Sequence, residues 1–315
     1  MGALETGLFL VDSSLFNAAG FFLVALGVLV SIRFTGFPDL TVDGSFTVGA
    51  ALYAMSVKAG HPTPFNFLLA LMGGALSGSL TCGINHWLRI GKIISSVIVM
   101  LTLILCTPYV FGVSTIGLLA ETYWLAQVAQ LDTTISRAIL PEAYFSLHPL
   151  ILLIFGSACL AAAAAVIAFF RSALGIQVRY LGSAQIPSLL APEVRWKRQL
   201  VGLCIGNSLV ALGGAVEAER AGGFNQSMGL GVLLVGLAIL VLGESLVKGR
   251  VRRDFLGVGE SAVAVGLGAL AYSFGIQVLL SLNLTFVDVR LTATGLLVTM
   301  LAVAARRHPN SAHLF

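Results

Sequence analysis

One stretch, Phe37–Ala51 with the sequence FPDLTVDGSFTVGAA, limits what this chain can fold into more than any other. It is flanked by long apolar runs, yet it is wrongly built for a plain membrane helix. Pro38 has no N–H to donate and disfavours helical geometry at Phe37. Asp39 and Asp43 add two carboxylates, and Gly44 loosens the backbone before the apolar run resumes at Phe46. In lipid, irregular backbone is tolerated only where protein covers it or where it lines a cavity. A broken helix carrying polar groups therefore points to a path for a polar solute.

A second stretch, Phe224–Ala238 (FNQSMGLGVLLVGLA), echoes the first. At a fixed offset Phe37 aligns with Phe224, Gly44 with Gly231, Val48 with Val235, Gly49 with Gly236 and Ala51 with Ala238. Upstream, Val24-Ala25-Leu26-Gly27 aligns with Val210-Ala211-Leu212-Gly213, with one residue of slippage. The pattern predicts an internal repeat with halves at approximately 14–113 and 199–305.

The chain is 57% hydrophobic and 10% charged, against about 25% charged in soluble domains. The expected fold is a single all-α polytopic membrane domain over 1–315. Runs near the required length of about 20 residues predict some nine spanning helices: 14–33, 45–59, 64–86, 93–113, 148–170, 199–217, 229–247, 258–281 and 291–305. With the N-terminus outside, all of the 18 lysines and arginines except Lys58, Arg137, Arg220 and Arg290 fall at cytoplasmic ends. That bias sets orientation and puts the C-terminus in the cytoplasm. Helices two and seven then run in opposite directions, so the repeat is expected to be inverted, with its broken helices around a common axis.

Two connections are long. The outer segment 114–147 holds ETYWLAQVAQLDTTISRAIL, which could lie as an amphipathic helix on the headgroups, with Tyr123 and Trp124 in the interfacial belt, or dock an external partner. The basic inner segment 171–198 has a small, moderately apolar middle punctuated by Pro187, suited to a short helix presented to a protein partner.

Enzymatic signatures are missing. Gly91-Lys92-Ile93 lacks the rest of a phosphate-binding loop, and no HExxH or Gly-x-Ser-x-Gly occurs. The five histidines are scattered, and Cys82, Cys106, Cys159 and Cys204 sit apart in apolar runs as expected buried thiols, so no metal site is expected. The acidic start (Glu5, Asp12) argues against a cleaved signal. The chain is expected to do no bond chemistry; ATP, if used, is hydrolysed elsewhere.

The motif FPDLTVDGSFTVGAA resembles one in permease subunits of bacterial ABC importers, within the tryptophan/tyrosine-type branch of the branched-chain amino acid permease family. Gly206-Asn207-Ser208 through Gly214, Gly223-Phe224, Met228 through Gly231, Gly236-Leu237-Ala238 and Gly243-Glu244 are similar to later patterns of that group. The resemblance implies import of a small polar solute, such as an amino acid, across the bacterial plasma (inner) membrane by alternating access. It implies a dimer of permeases, two ATPase subunits that bind ATP and Mg, and an extracytoplasmic solute-binding protein; nucleic acid is not an expected partner. It also implies a coupling helix in 171–198. Arg179-Tyr180-Leu181-Gly182 matches the family's Arg-Ala-x-Gly lead-in, but Ser183-Ala184-Gln185 replaces Asp-Asn-Pro and proline comes only at Pro187. An ion-coupled secondary transporter is the main alternative, and a channel or scaffold the next.

Candidate solute-path residues are Phe37, Asp39, Asp43, Ser45, Phe224, Gln226 and Ser227. Each aspartate has two readings: it lines the path, or it serves the break structurally, Asp43 as a cap for the helix expected near Ser45. Candidate coupling residues are Arg179, Gly182, Ser183, Ala184, Gln185 and Pro187. Glu217, Glu219 and Arg220 are candidates for an outer gate, and Glu244 for an i,i+4 pair with Lys248 or for transmitting ATPase motion.

Overall fold

In a computed structural model, residues 3–118, 148–182, 191–248 and 257–281 are described, with isolated positions at 124, 128, 131, 132, 295, 298 and 299. Nine α-helices occur among them: α1 (Ala3–Val28), α2 (Val42–Lys58), α3 (Thr63–Trp87), α4 (Lys92–Phe111), α5 (Pro149–Arg171), α6 (Ala173–Tyr180), α7 (Pro192–Arg220), α8 (Val232–Lys248) and α9 (Val258–Ser281). Seven helical segments are long and apolar enough to cross a membrane. The all-α polytopic membrane class is borne out. The only addition among the described residues is a small ladder in which β1 (Thr115–Gly117) runs antiparallel to β2 (Gly223–Asn225). Of the expected helix 291–305 only positions 295, 298 and 299 are among the described residues.

Local sequence explains the helix ends. Proline opens α5 and α7 at their first positions and α3 at its second, where its missing N–H is harmless. Gly112 ends α4 in the left-handed conformation. Helix α1 runs on through a π-helical stretch, Leu29–Phe34.

The centre of the bundle is α7, packed by α1, α2 and α3. Helix α2 has 17 residues, the short end of what a span needs. It is walled by protein: Ala50, Ala51, Tyr53 and Ala54 are fully buried. Glycine rows allow close approach. A Cβ at Gly74 would stand 2.7 Å from Ser208 Cα, and one at Gly206 would reach the Gly27 carbonyl at 3.0 Å. The small-residue spacings at Gly74/Gly78 and Gly202/Gly206 therefore serve packing within this chain. By contrast, α4, α5 and α9 carry exposed Leu105, Tyr109, Leu153, Leu160 and Val263, as expected of faces turned to lipid or to another apolar surface.

Candidate functional site: two breaks that meet at Asp43

The first break spans 35–41. It begins where the π-helical stretch releases the chain, with Thr35 and Phe37 N–H donating back to Val30 and Ser31 carbonyls at 3.0 Å each. Gly36 has φ +61, a turn L-residues rarely adopt, and Pro38 prevents helix from resuming. Asp39 then closes a local turn: its Oδ1 accepts from the Thr41 N–H at 2.9 Å. Its Oδ2 accepts from Asn207 Nδ2 at 2.6 Å, and Asn207 Oδ1 accepts from Ser45 Oγ at 2.6 Å. The Thr41 and Thr81 hydroxyls, 2.7 Å apart, continue this polar chain. Every member is buried, and a buried network of this kind is stable only when its groups are mutually satisfied.

The second break follows α7. Ala221–Gly222 turn the chain, β2 pairs with β1, and a 3-10 turn, Gln226–Gly229, leads to Gly231 at φ 81. The Asn225 side chain accepts from Ser227 N–H and Oγ, both at 2.9 Å. Gln226 Nε2 donates to the Ile104 carbonyl at 2.9 Å.

The two breaks meet. Asp43 Oδ2 accepts from Gly231 N–H at 2.8 Å and Oδ1 from Leu233 N–H at 2.7 Å. The two groups flank the start of α8, Gly231 just before it and Leu233 in its first turn, where unpaired N–H groups and the helix dipole favour an anion. The cap expected for Asp43 is therefore real but on the other half of the chain. Helix α2 starts earlier than Ser45, at Val42 behind Thr41, so Asp43 and Gly44 lie inside its first turn. Val42, Phe46 and Val232 share an apolar cluster with Val24, Val28 and Val210, so both helix starts sit level with the middle of α7.

The solute-path candidates thus fall at one centre but in a closed arrangement. Phe37, Asp39, Ser45 and Phe224 are buried, Asp43 and Gln226 half-buried, and Ser227 exposed. Phe37 packs with Cys82 and Leu203; Phe224 packs with Tyr53, Ala215 and Ala218. Sequence reasoning gave Asn207 no role beyond the resemblance. Its signal was an amide in the interior of an apolar, glycine-flanked helix, where an unpartnered polar group is costly.

Of the coupling candidates, Ser183, Ala184, Gln185 and Pro187 lie outside the described residues. Arg179 stands over the Phe34 ring at 5.7 Å. Gly182 rests on the backbone of Arg33 and Phe34, and a Cβ on Gly36 would meet Leu181 O at 2.8 Å. The lead-in to the inner segment therefore touches the first break directly.

Other expectations are corrected by new partners. Glu244 pairs with Arg33 across the bundle, where α8 packs against α1, the helix that the π-helical stretch continues. Glu217 and Arg220 pair within one helix at 2.5 Å. Glu219 is wholly buried and accepts from Tyr53 Oη at 2.5 Å. Trp124 stacks on Phe155 at 5.9 Å and, with Val128, packs against the core. Asp132 is buried and accepts from Leu150 N–H at 3.1 Å, at the start of α5. Among the cysteines, Cys82 is buried as expected, but Cys106 is exposed.

No family model matches the chain, and no solved structure does. The chain is similar to the tyrosine transport system permease protein of Clostridioides difficile (strain R20291), with 26% identity over 281 residues, 89% of this chain and 86% of that protein. It is also 26% identical over 267 residues to an uncharacterized protein of Rickettsia prowazekii (strain Madrid E), covering 84% of this chain and 87% of that one. The resemblance to tyrosine-type permeases read from the sequence is borne out. The likeness spans most of both chains and supports a transport permease role for a multi-pass membrane protein.

Proposed function

We propose that this chain is the transmembrane subunit of an ATP-driven ABC importer that moves a small polar solute, an amino acid such as tyrosine, by alternating access. The observation that carries the reading is the convergence of two helix breaks on Asp43, together with the likeness to a tyrosine transport permease. On this reading the buried centre corresponds to an occluded state. Asp39 and Asn207 offer a carboxylate and an amide for a solute's ammonium and carboxyl groups, and Phe37 and Phe224 supply apolar walls. The halves 14–113 and 199–305 rock as inverted repeats, exposing this centre first outward and then inward.

Drive comes from outside the chain. ATPase subunits holding ATP and Mg dock on the 171–198 segment, with Arg179 and Gly182 leading into Ser183, Ala184, Gln185 and Pro187 at the contact. Because Leu181 and Gly182 touch Gly36 and Arg33, a push there reaches the first break with no helix between. A second permease copy covers part of the apolar exterior, and a solute-binding protein delivers solute at the outer face. The N-terminus lies outside and the C-terminus in the cytoplasm of the plasma (inner) membrane.

The test is reconstitution. Proteoliposomes holding the chain with a co-purified ATPase and solute-binding protein should take up tyrosine only with ATP. Replacing 182–187 by a Gly-Ser linker should abolish ATPase association while the chain still inserts. Association that survives the swap overturns the coupling assignment. One observation favours a second reading: Asp39 is a buried carboxylate within a polar network, the chemistry of an ion-coupled secondary transporter. Uptake driven by a sodium or proton gradient without ATP would select it.

A further inference from the structure

Below the first break, at the end of the bundle rich in lysine and arginine, lies a cavity of about 370 Å³, within the range of about 300–1,000 Å³ usual for small-ligand pockets. Asn85, Ile90, Lys92, Leu181, Arg195 and Gln199 line it. Two of these are cations, two are amides and none is a carboxylate. Helix α4 begins at its wall with Gly91 and Lys92, which adds the positive end of a helix dipole. Two cations and a helix start lining one cavity give it a positive potential that draws an anion. We propose that this cavity is an oxyanion site taking a carboxylate or phosphate group, from a soluble small molecule or from an anionic lipid headgroup.

The site is wired to the break above it. Lys92 Nζ donates to the Gly36 carbonyl at 2.9 Å and stands over the Phe37 ring at 5.5 Å. An ammonium has three donors, so Lys92 reaches an anion while holding Gly36 or exchanges one for the other. Arg195 offers the planar fork suited to carboxylate and phosphate. Leu181, which ends the lead-in to the inner segment, forms another wall. An occupied site therefore bears on the first break and on the approach to the coupling segment at once. The inference does not depend on whether transport is driven by ATP or by an ion gradient.

The test uses the full chain purified in detergent, titrated with inorganic phosphate in one arm. In the other arm it is placed in nanodiscs of phosphatidylcholine with or without phosphatidylglycerol. Binding is read by calorimetry and by melting temperature. Saturable phosphate binding that raises the melting temperature is expected, weakened about tenfold in Arg195→Gln and kept within about threefold in Arg195→Lys. Stabilisation by phosphatidylglycerol that blocks phosphate assigns the site to a headgroup; phosphate binding indifferent to phosphatidylglycerol assigns it to a soluble anion. The proposal is overturned if neither arm shows binding, or if binding is equal in wild type and Arg195→Gln. Should Arg195→Gln fail to fold, Lys92→Gln takes its place with the same expected loss, and the absence of any wild-type binding alone refutes the site.

Discussion

The two breaks solve one problem with opposite means. The first is buried and charged: its carboxylate is satisfied from within by Thr41 N–H and from α7 by Asn207. The second is more exposed and neutral. It is held by a local Asn225 turn, by a strand pairing and by a carboxylate borrowed from the first half. The charge chemistry of the centre therefore belongs to one half of the chain, and the aligned residues of the echo are not equivalent. Gly44 sits inside a helical turn, while Gly231 is left-handed just before α8.

That asymmetry can be broken on purpose. The largest effect is expected from Asp39→Leu, which strands one Asn207 Nδ2–H (the other donates to Leu203 O) and the Thr41 N–H in a buried site; the cost is about 2–5 kcal/mol, read by unfolding in mixed micelles, with loss of uptake. An unaltered unfolding curve would mean that the network carries no stability. Next comes Asp43→Ala, which removes two charge-assisted bonds to α8 and should cost about 1–3 kcal/mol. Amide exchange at Gly231 and Leu233 should rise while that at Thr41 does not. Gly36→Ala should cost about 1–2 kcal/mol for the left-handed backbone alone, in the same unfolding assay, and should impair coupling because Leu181 is in the way. Asn225→Ala, in the exposed turn of the second break, should cost no more than about 1 kcal/mol. If it matched Asp39→Leu, the contrast between the breaks would be wrong.

The smallest effect lies away from both breaks. His148 Nδ1 lies 3.1 Å from Asp12 Oδ2, and that hydrogen bond raises the His148 pKa above 6.5. A raised histidine stabilises fully below its unfolded value, and the contribution is lost as pH rises through the folded value. The melting temperature should therefore drop slightly as pH climbs from below 6.5 to well above it, and Asp12→Asn should flatten the profile.

Much of this architecture was readable in the chain. The apolar runs gave the helices, and Pro38 with its two aspartates marked the first break, because proline and charge are local signals. Even the echo around Phe224 led to the second break. What could not be read is who satisfies whom. Asp43 stands where a cap for its own helix was expected, and only three-dimensional packing brings α8 to it. Glu244 has Lys248 at helical spacing, yet it also pairs with Arg33 across the bundle. Asn207 looked ordinary and Glu219 suggested an outer gate, because a polar group in a long helix does not announce whether it faces protein, water or lipid. Trp124 carries the same limit: an aromatic beside a span fits an interface and a core equally well in sequence, and only its neighbours show the ring packed on Phe155.

The bond from Asp43 to Gly231 joins residues 188 positions apart, and this bears on how the protein is made. When α8 leaves the ribosome, its leading N–H groups have no acceptor of their own in hydrocarbon, where such groups are expensive. They find one only if α2, synthesised long before, is already in place. Biogenesis of the second half should thus wait on the first: a truncated chain beginning after α6 would insert its spans but leave α8 unseated until the missing half is supplied in trans.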